Sequence, residues 1–135
     1  MQPTFESSHG APARLLIIDD DELTTATFAR MLRLEGHEVL TARSAIAALS
    51  EASTLAPDAI IVDLHMPGMD GLTFVKHLRA QEHGMRMPVA MVTGDYGMAP
   101  PVSEALAKLG VTICFKPLWI DDLIGLAARL LTKAG

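Results

Sequence analysis

The sequence has little of several features that mark common classes of protein. It contains a single cysteine, Cys114, so an internal disulfide is excluded and a reducing compartment suits the chain. No apolar run approaches the ~18 residues that a membrane span requires, and Met1 to Ala13 lacks the charged start and apolar middle of a signal peptide. These absences predict a cytoplasmic protein without membrane contact.

Basic charge is also scarce. The chain has 11 lysines and arginines against 16 aspartates and glutamates, which gives a formal net charge of -5. A protein that binds the phosphate backbone of a nucleic acid normally carries a basic patch. Direct nucleic-acid binding by this chain is therefore not expected.

Apolar residues, by contrast, make up 50% of the 135 residues. This is enough for the core of one domain and too little for two ordinary domains. Residues 1–13 mix Gln, Pro, Ser, His and Gly without a period and are predicted to form a flexible leader. One folded domain is predicted over residues 14–133, with no separate output domain.

Short apolar runs alternate with segments of helical spacing along the folded part. Leu23, Thr27, Met31 and Leu34 repeat at helical spacing before Gly36, and a short helix is predicted from about Val102 to Leu109. Strands without a polar face are typical of a parallel sheet that is covered on both sides. We therefore predict an α/β fold with a doubly wound, five-stranded parallel sheet in the order 2-1-3-4-5, a flavodoxin-like three-layer sandwich. The predicted strands are Leu15–Ile18, Glu38–Thr41, Ile60–Val62, Met87–Val92 and Val111–Phe115.

Polar or charged side chains follow four of the predicted strands. In a sheet of this kind the ligand crevice lies beyond the carboxyl ends of the strands, so we expect these side chains to form one cluster. They are Asp19 and Asp20 after the first strand, Asp63 after the third, Thr93 at the end of the fourth and Lys116 after the fifth.

The electrostatics of such a cluster indicate its chemistry. Converging carboxylates repel one another by a few kcal/mol per pair at an effective dielectric constant of ~20, unless a cation joins them. Oxygen ligands select a hard ion, and the room left for water and phosphate favours Mg²⁺ over Ca²⁺. An ionised Asp63 needs no general base to attack phosphorus, and Thr93 and Lys116 would stabilise the charge on the transferred group. The cluster is thus predicted to accept a phosphoryl group on Asp63 in the presence of Mg²⁺.

The ordered set of these residues resembles the receiver domain of two-component response regulators. The resemblance covers Arg14 to about Leu131 and includes the segment from Met66 to Gly71 and the dipeptide Lys116-Pro117. It implies a phosphorelay in which a sensor histidine kinase or a histidine phosphotransfer protein donates a phosphoryl group to Asp63. It also implies a domain that is not an enzyme in the ordinary sense, although it catalyses its own phosphorylation and dephosphorylation.

The resemblance further implies individual roles. Asp20 and Asp63 would bind Mg²⁺ directly, Asp19 would act through water, and the main-chain carbonyl of His65 would supply another ligand. Thr93 and Lys116 would hold the phosphoryl group, and the Lys116-Pro117 peptide would be cis. Phosphorylation would switch the surface formed by the fourth helix, the fifth strand and the last helix, where an unidentified downstream protein or a second copy of the chain would dock.

The sequence departs from the family pattern near the predicted site. The family usually carries an aromatic residue three positions before the lysine, and Ile113 occupies that position here. Tyr96, in the loop after Thr93, either takes over this role or is simply an exposed loop residue. Trp119 is either a docking contact or packs over the edge of the core. The His65 side chain either affects the lifetime of the phosphorylated form or is solvated.

Two other classes of function stay open at this point. A Mg²⁺-dependent phosphatase or phosphotransferase with an aspartyl nucleophile would normally carry that nucleophile after the first strand and would need a cap to exclude water. A nucleotide or flavin binder would need glycines and free amides where the first strand leads into acidic residues.

Overall fold

Five parallel strands form the central sheet of the computed structural model, which describes residues 13–134. Their order is β2-β1-β3-β4-β5, which confirms the predicted doubly wound topology. The leader predicted over residues 1–13 lies outside the described residues, apart from Ala13. The strands are β1 (Arg14–Ile18), β2 (Glu38–Ala42), β3 (Ala59–Val62), β4 (Val89–Thr93) and β5 (Thr112–Phe115).

Five α-helices connect and follow these strands, and a short 3-10 helix, Glu82–Gly84, lies between the third helix and β4. Within residues 13–134, no helix combines the length and the apolar character needed to cross a bilayer. The helices are α1 (Glu22–Leu34), α2 (Ala45–Leu55), α3 (Gly71–Arg79), α4 (Pro100–Lys108) and α5 (Ile120–Ala134).

The buried apolar residues form two clusters, one on each face of the sheet. Successive residues of β1 point to opposite faces, so that Leu16 packs with α2, α3 and α4 while Leu15 packs with α1 and α5. Burying a leucine or isoleucine side chain stabilises the fold by ~1.5–3 kcal/mol, which explains why the inner strands carry no polar face. The three-layer sandwich predicted from the apolar runs is thereby confirmed.

Local sequence signals fix where several helices begin and end. The side chains of Asp21, Ser44 and Asp70 each accept a hydrogen bond from a backbone amide in the first turn of α1, α2 and α3, respectively. The donors are the amides of Leu23, Ala47 and Thr73. Gly36 follows α1 with a φ of 94°, a left-handed conformation that glycine adopts without steric cost.

Both predicted helices are present, but two of their details differ from what the spacing of the sequence suggests. The buried face of α1 consists of Thr25, Phe28, Ala29 and Leu32, whereas Leu23 and Leu34 are exposed. Helix α4 begins at Pro100 and not at about Val102, because proline needs no amide hydrogen bond in the first turn of a helix.

Candidate functional site

The carboxylates of Asp19, Asp20 and Asp63 meet at the carboxyl ends of β1 and β3. One ligand oxygen from each residue lies within 4.8 Å of the corresponding oxygens of the other two. The Asp63 side chain is 12% exposed, Asp19 is buried, and Asp20 is open to solvent. The cluster predicted from the ends of the first and third strands is therefore present.

Sheet hydrogen bonds continue past the ends of β1 and β3 and position two of these carboxylates. The Asp63 amide donates to the carbonyl of Ile18 at 2.9 Å, and the Asp19 amide donates to the carbonyl of Ala42 at 3.1 Å. Oδ1 of Asp19 accepts a hydrogen bond from the Asp21 amide at 2.9 Å. Asp19 and Asp63 are thus fixed by the backbone before any ligand binds.

Lys116 reaches this cluster from the end of β5. Its Nζ lies 3.0 Å from Oδ2 of Asp19 and 3.7 Å from Oδ2 of Asp63. Partial burial alone would lower the pKa of Lys116, but the hydrogen bond to Asp19 and the charges of Asp19 and Asp63 outweigh this effect and raise the pKa. The ammonium therefore stays charged and partly neutralises the carboxylates.

Asp63 has the opposite balance of influences. Burial raises the pKa of its carboxyl group above the ordinary value of 3.8, Lys116 acts against this, and the charges of Asp19 and Asp20 raise the pKa further. The site consequently holds more negative charge than the lysine alone compensates. A bound cation would relieve this repulsion.

Thr93 ends β4, the strand next to β3, and is almost completely buried. Its hydroxyl oxygen accepts a hydrogen bond from the Asp95 amide at 3.1 Å, and its carbonyl accepts one from the Lys116 amide at 2.8 Å. Thr93 is therefore hydrogen-bonded through its backbone to Lys116, the residue that follows the adjacent strand β5.

The loop that follows Asp63 requires a glycine at its end. A Cβ atom at position 71 would collide with the carbonyl oxygen of Asp63, so only glycine lets α3 begin this close to the site. The Gly71 amide donates to the carbonyl of Leu64 at 2.7 Å and closes the loop. His65, whose main-chain carbonyl is a predicted ligand, lies within this loop and is exposed.

Asp95 is a site residue that sequence reasoning missed. Its Oδ2 lies 2.7 Å from Nε2 of His65, so the pair bridges the loops that follow β3 and β4. The hydrogen bond with His65 is the main cause of the lowered pKa of Asp95. A signal was available, because both residues lie two positions after the polar residue at the end of adjacent parallel strands.

The structure also locates the residues at which the sequence departs from the family pattern. Ile113 is partly buried and packs against the core. The Tyr96 ring is exposed but stacks on Phe115 with ring centroids 5.2 Å apart. Trp119 is 71% exposed and does not pack over the core. The Lys116-Pro117 peptide is cis, as the resemblance implied.

The donor set fits a hard divalent cation. Asp19, Asp20 and Asp63 contribute only oxygen atoms, and the exposure of Asp20 leaves one side of the group open to water and to a phosphoryl oxygen. Few protein ligands with an open side are typical of Mg²⁺ sites, whereas Ca²⁺ sites are usually enclosed by more protein oxygens.

Proteins of known role resemble this chain over most of its length. The transcriptional regulatory protein PrrA of Mycobacterium leprae is 34% identical over 122 residues, which cover 90% of this chain and 51% of PrrA. The sensory/regulatory protein RpfC of Xanthomonas campestris pv. campestris is 43% identical over 120 residues, 87% of this chain and 16% of RpfC. The chain therefore spans about half of one relative and a small part of the other.

The fold is also similar to that of a solved structure. The chemotaxis response regulator CheY4 of Vibrio cholerae superposes with a TM-score of 0.81 at 30% sequence identity, covering 90% of this chain and 100% of CheY4. Residues 15–128 also match the family model of the response regulator receiver domain. Together with the five parallel strands and their polar ends, these matches show that the chain belongs to the response regulator receiver domains of two-component signalling.

Proposed function

We propose that this receiver domain accepts a phosphoryl group on Asp63 from a phosphohistidine donor, with Mg²⁺ bound beside it. One observation carries the proposal. The Lys116 ammonium lies between two carboxylates, 3.0 Å from Asp19 and 3.7 Å from Asp63, although it comes from the far edge strand of the sheet. A fold that brings a lysine to Asp63 provides a positive charge for a phosphoryl group at that position.

The residues that would hold the metal are Asp19, Asp20, Asp63 and the main-chain carbonyl of His65. When bound, Mg²⁺ supplies positive charge that reduces the repulsion among the carboxylates and stabilises the negative charge on the phosphoryl oxygens. Asp19 holds Lys116 by the shorter of the lysine's two contacts, which leaves the weaker contact with Asp63 free to exchange.

Transfer requires little chemistry from the protein beyond positioning. A carboxylate oxygen of Asp63 forms a bond to phosphorus while the bond between phosphorus and the donor imidazole nitrogen breaks, and that nitrogen keeps the electron pair. Lys116 and the Thr93 hydroxyl then stabilise the charge on the phosphoryl oxygens. When Asp63 attacks as the carboxylate, no general base is needed.

Phosphorylation changes the charge of the site and hence its contacts. An acyl phosphate of about -2 replaces a carboxylate of -1, so Lys116 and Thr93 are drawn toward the new group. Thr93 leads into the loop before α4, and Lys116 lies between β5 and α5. We propose that the surface formed by α4, β5 and α5 reports this movement to a downstream protein or to a second copy of the chain.

Receiver domains interact with sensor kinases or phosphotransfer proteins, and we propose that such a protein supplies the phosphohistidine here. Trp119, which is 71% exposed and follows Lys116 by three residues in the sequence, offers a large apolar surface to such a protein. Aromatic side chains of this kind are enriched among the energetically important residues of interfaces.

Labelling with a small phosphodonor tests the proposal. Incubation with acetyl phosphate and Mg²⁺ is expected to add one phosphoryl group to Asp63, detected by intact mass and mapped by fragmentation. Chelation of the metal and the substitution Asp63→Asn should each abolish the label. Asp58→Asn is the matched control, because Asp58 lies just before the opposite end of β3, where its side chain accepts a hydrogen bond from the Arg14 amide. Labelling of any residue other than Asp63, or sustained turnover of unrelated phosphate esters, would contradict the proposal.

A further inference from the structure

Tyr96 makes two contacts that are unexpected for an exposed loop residue. Its ring is 69% exposed, yet it stacks on Phe115 with an interplanar angle of 18°. Its hydroxyl donates a hydrogen bond to the main-chain carbonyl of Lys116. Both contacts are made with the end of β5, so the loop between β4 and α4 is attached to the residue that carries the ammonium.

The backbone of Lys116 is consequently held on both sides by one segment of chain. The Lys116 amide donates to the carbonyl of Thr93 at 2.8 Å, and the Lys116 carbonyl accepts from Tyr96, three residues further along the same segment. A lysine side chain has several freely rotating bonds, so where its ammonium reaches depends on where its backbone is fixed. Here that ammonium reaches Asp19 and Asp63.

We propose that Tyr96 is a positioning residue for Lys116, which it holds through the backbone so that the ammonium reaches Asp63. The role depends on the proposed function, since it concerns the same site. Ile113 packs into the core and offers no ring to the loop, whereas the Tyr96–Phe115 stack joins the loop after Thr93 directly to β5.

This role predicts two effects of opposite sign. The Lys116 ammonium repels a divalent cation and competes with it for the carboxylates of Asp19 and Asp63. Loosening Lys116 should therefore allow Mg²⁺ to bind more tightly. The same ammonium stabilises the transferred phosphoryl group, so loosening it should slow labelling. A general loss of structure would instead weaken Mg²⁺ binding and labelling together.

The substitution Tyr96→Phe separates these cases, because it removes the hydroxyl and keeps a ring for Phe115. We expect Mg²⁺, titrated calorimetrically, to bind about threefold more tightly, and acetyl phosphate to label Asp63 roughly three- to tenfold more slowly, as befits one hydrogen bond. Phe115→Tyr, which preserves the stacked ring, should behave like the wild type. In a Lys116→Ala background, Tyr96→Phe should change neither quantity further.

Three results would overturn the role of Tyr96. They are unchanged Mg²⁺ affinity and labelling in Tyr96→Phe, a decrease in both, and a further effect of the substitution in the absence of the Lys116 side chain. If the wild-type protein binds Mg²⁺ but is not labelled at all, the proposed function fails, while the Mg²⁺ titrations still decide whether Tyr96 positions Lys116.

Discussion

Burial and the neighbouring carboxylates favour the protonated form of Asp63, while the Lys116 ammonium favours the ionised form. The net result is a raised pKa, which means that the folded protein holds this carboxylate at a cost in free energy when no cation is bound. A carboxylate destabilised in this way gains more than an ordinary one from a metal or from conversion to an acyl phosphate. The chemistry of the site and the stability of the fold are therefore linked at one residue.

Replacing Asp63 with asparagine should stabilise the metal-free protein at neutral pH. Asparagine has nearly the same volume but removes the charge that Asp19 and Asp20 repel, so we expect the free energy of unfolding to rise by roughly 1 kcal/mol. With saturating Mg²⁺ the order should reverse, because a ligand at one hundred times its Kd stabilises the wild type by ~2.7 kcal/mol and the variant much less. Urea unfolding with a chelator and with Mg²⁺ measures both effects.

The pH dependence of this difference has a defined sign. Because the pKa of Asp63 is raised above 3.8 in the folded state, the folded protein binds more protons than the unfolded chain at pH values between about 3.8 and the raised pKa. The contribution of Asp63 to stability therefore falls as the pH rises from about 3.8 through the raised pKa, and it is constant above it. The advantage of Asp63→Asn should vanish at low pH, and a variant less stable than the wild type at neutral pH in chelator would contradict the raised pKa.

At the scale of elements, Arg79 joins the helices on one face of the sheet. From the end of α3, its Nε donates to the carbonyl of Leu109 just after α4, and its Nη1 donates to the carbonyls of Gly84 and Met87, each at 2.7–2.8 Å. Burial lowers the pKa of Arg79, but a guanidinium stays charged at any physiological pH. One side chain thus satisfies three main-chain carbonyls between α3, β4 and α4.

Removing this guanidinium should destabilise the domain without affecting the site directly. Arg79→Met removes three hydrogen bonds and leaves the Gly84 carbonyl with only the long bond from the Met87 amide at 3.4 Å, so we expect a loss of about 2–3 kcal/mol in the free energy of unfolding. Arg79→Lys should lose somewhat less. Denaturant unfolding measures the loss. Arg30→Met is the control, because Arg30 is exposed on α1. Equal stability of the Arg79 and Arg30 variants would show that the three hydrogen bonds contribute nothing.

At the scale of the whole molecule, the position of the site follows from one property of parallel sheets. All the strands run the same way, so the residues that follow them gather at one edge, and the apolar runs of β1, β3 and β4 made those ends readable from the sequence. Asp19, Asp20, Asp63, Thr93 and Lys116 were predicted to form one cluster. The carboxylate and ammonium groups do meet, and Thr93 lies at the end of the adjacent strand β4 with its hydroxyl bound to the Asp95 amide. The metal, the phosphoryl donor and the switch surface stay predictions.

Features that depend on side-chain reach between separate loops were not predictable in the same way. Helical spacing allows more than one apolar stripe on α1, and the stripe that contains Leu23 and Leu34 faces solvent. The stacking of Tyr96 on Phe115 joins residues that are 19 positions apart, and local sequence patterns do not encode such a pair. The His65–Asp95 bridge spans 30 positions, and its signal, the matching place of the two residues after adjacent strands, becomes readable only once the strand order is assigned. The polar residues at the strand ends could be predicted from the sequence, whereas the contacts that support them could be identified only in the folded structure.

A crystal structure with Mg²⁺ and beryllofluoride, which mimics a phosphoryl group, tests the central claim most directly. We expect beryllium bonded to a carboxylate oxygen of Asp63, with Mg²⁺ in contact with Asp20, Asp63 and the main-chain carbonyl of His65. The Thr93 hydroxyl and the Lys116 ammonium should both contact fluorine atoms. Beryllofluoride on another residue, or a Lys116 that remains on Asp19 and away from the fluorines, would contradict the account.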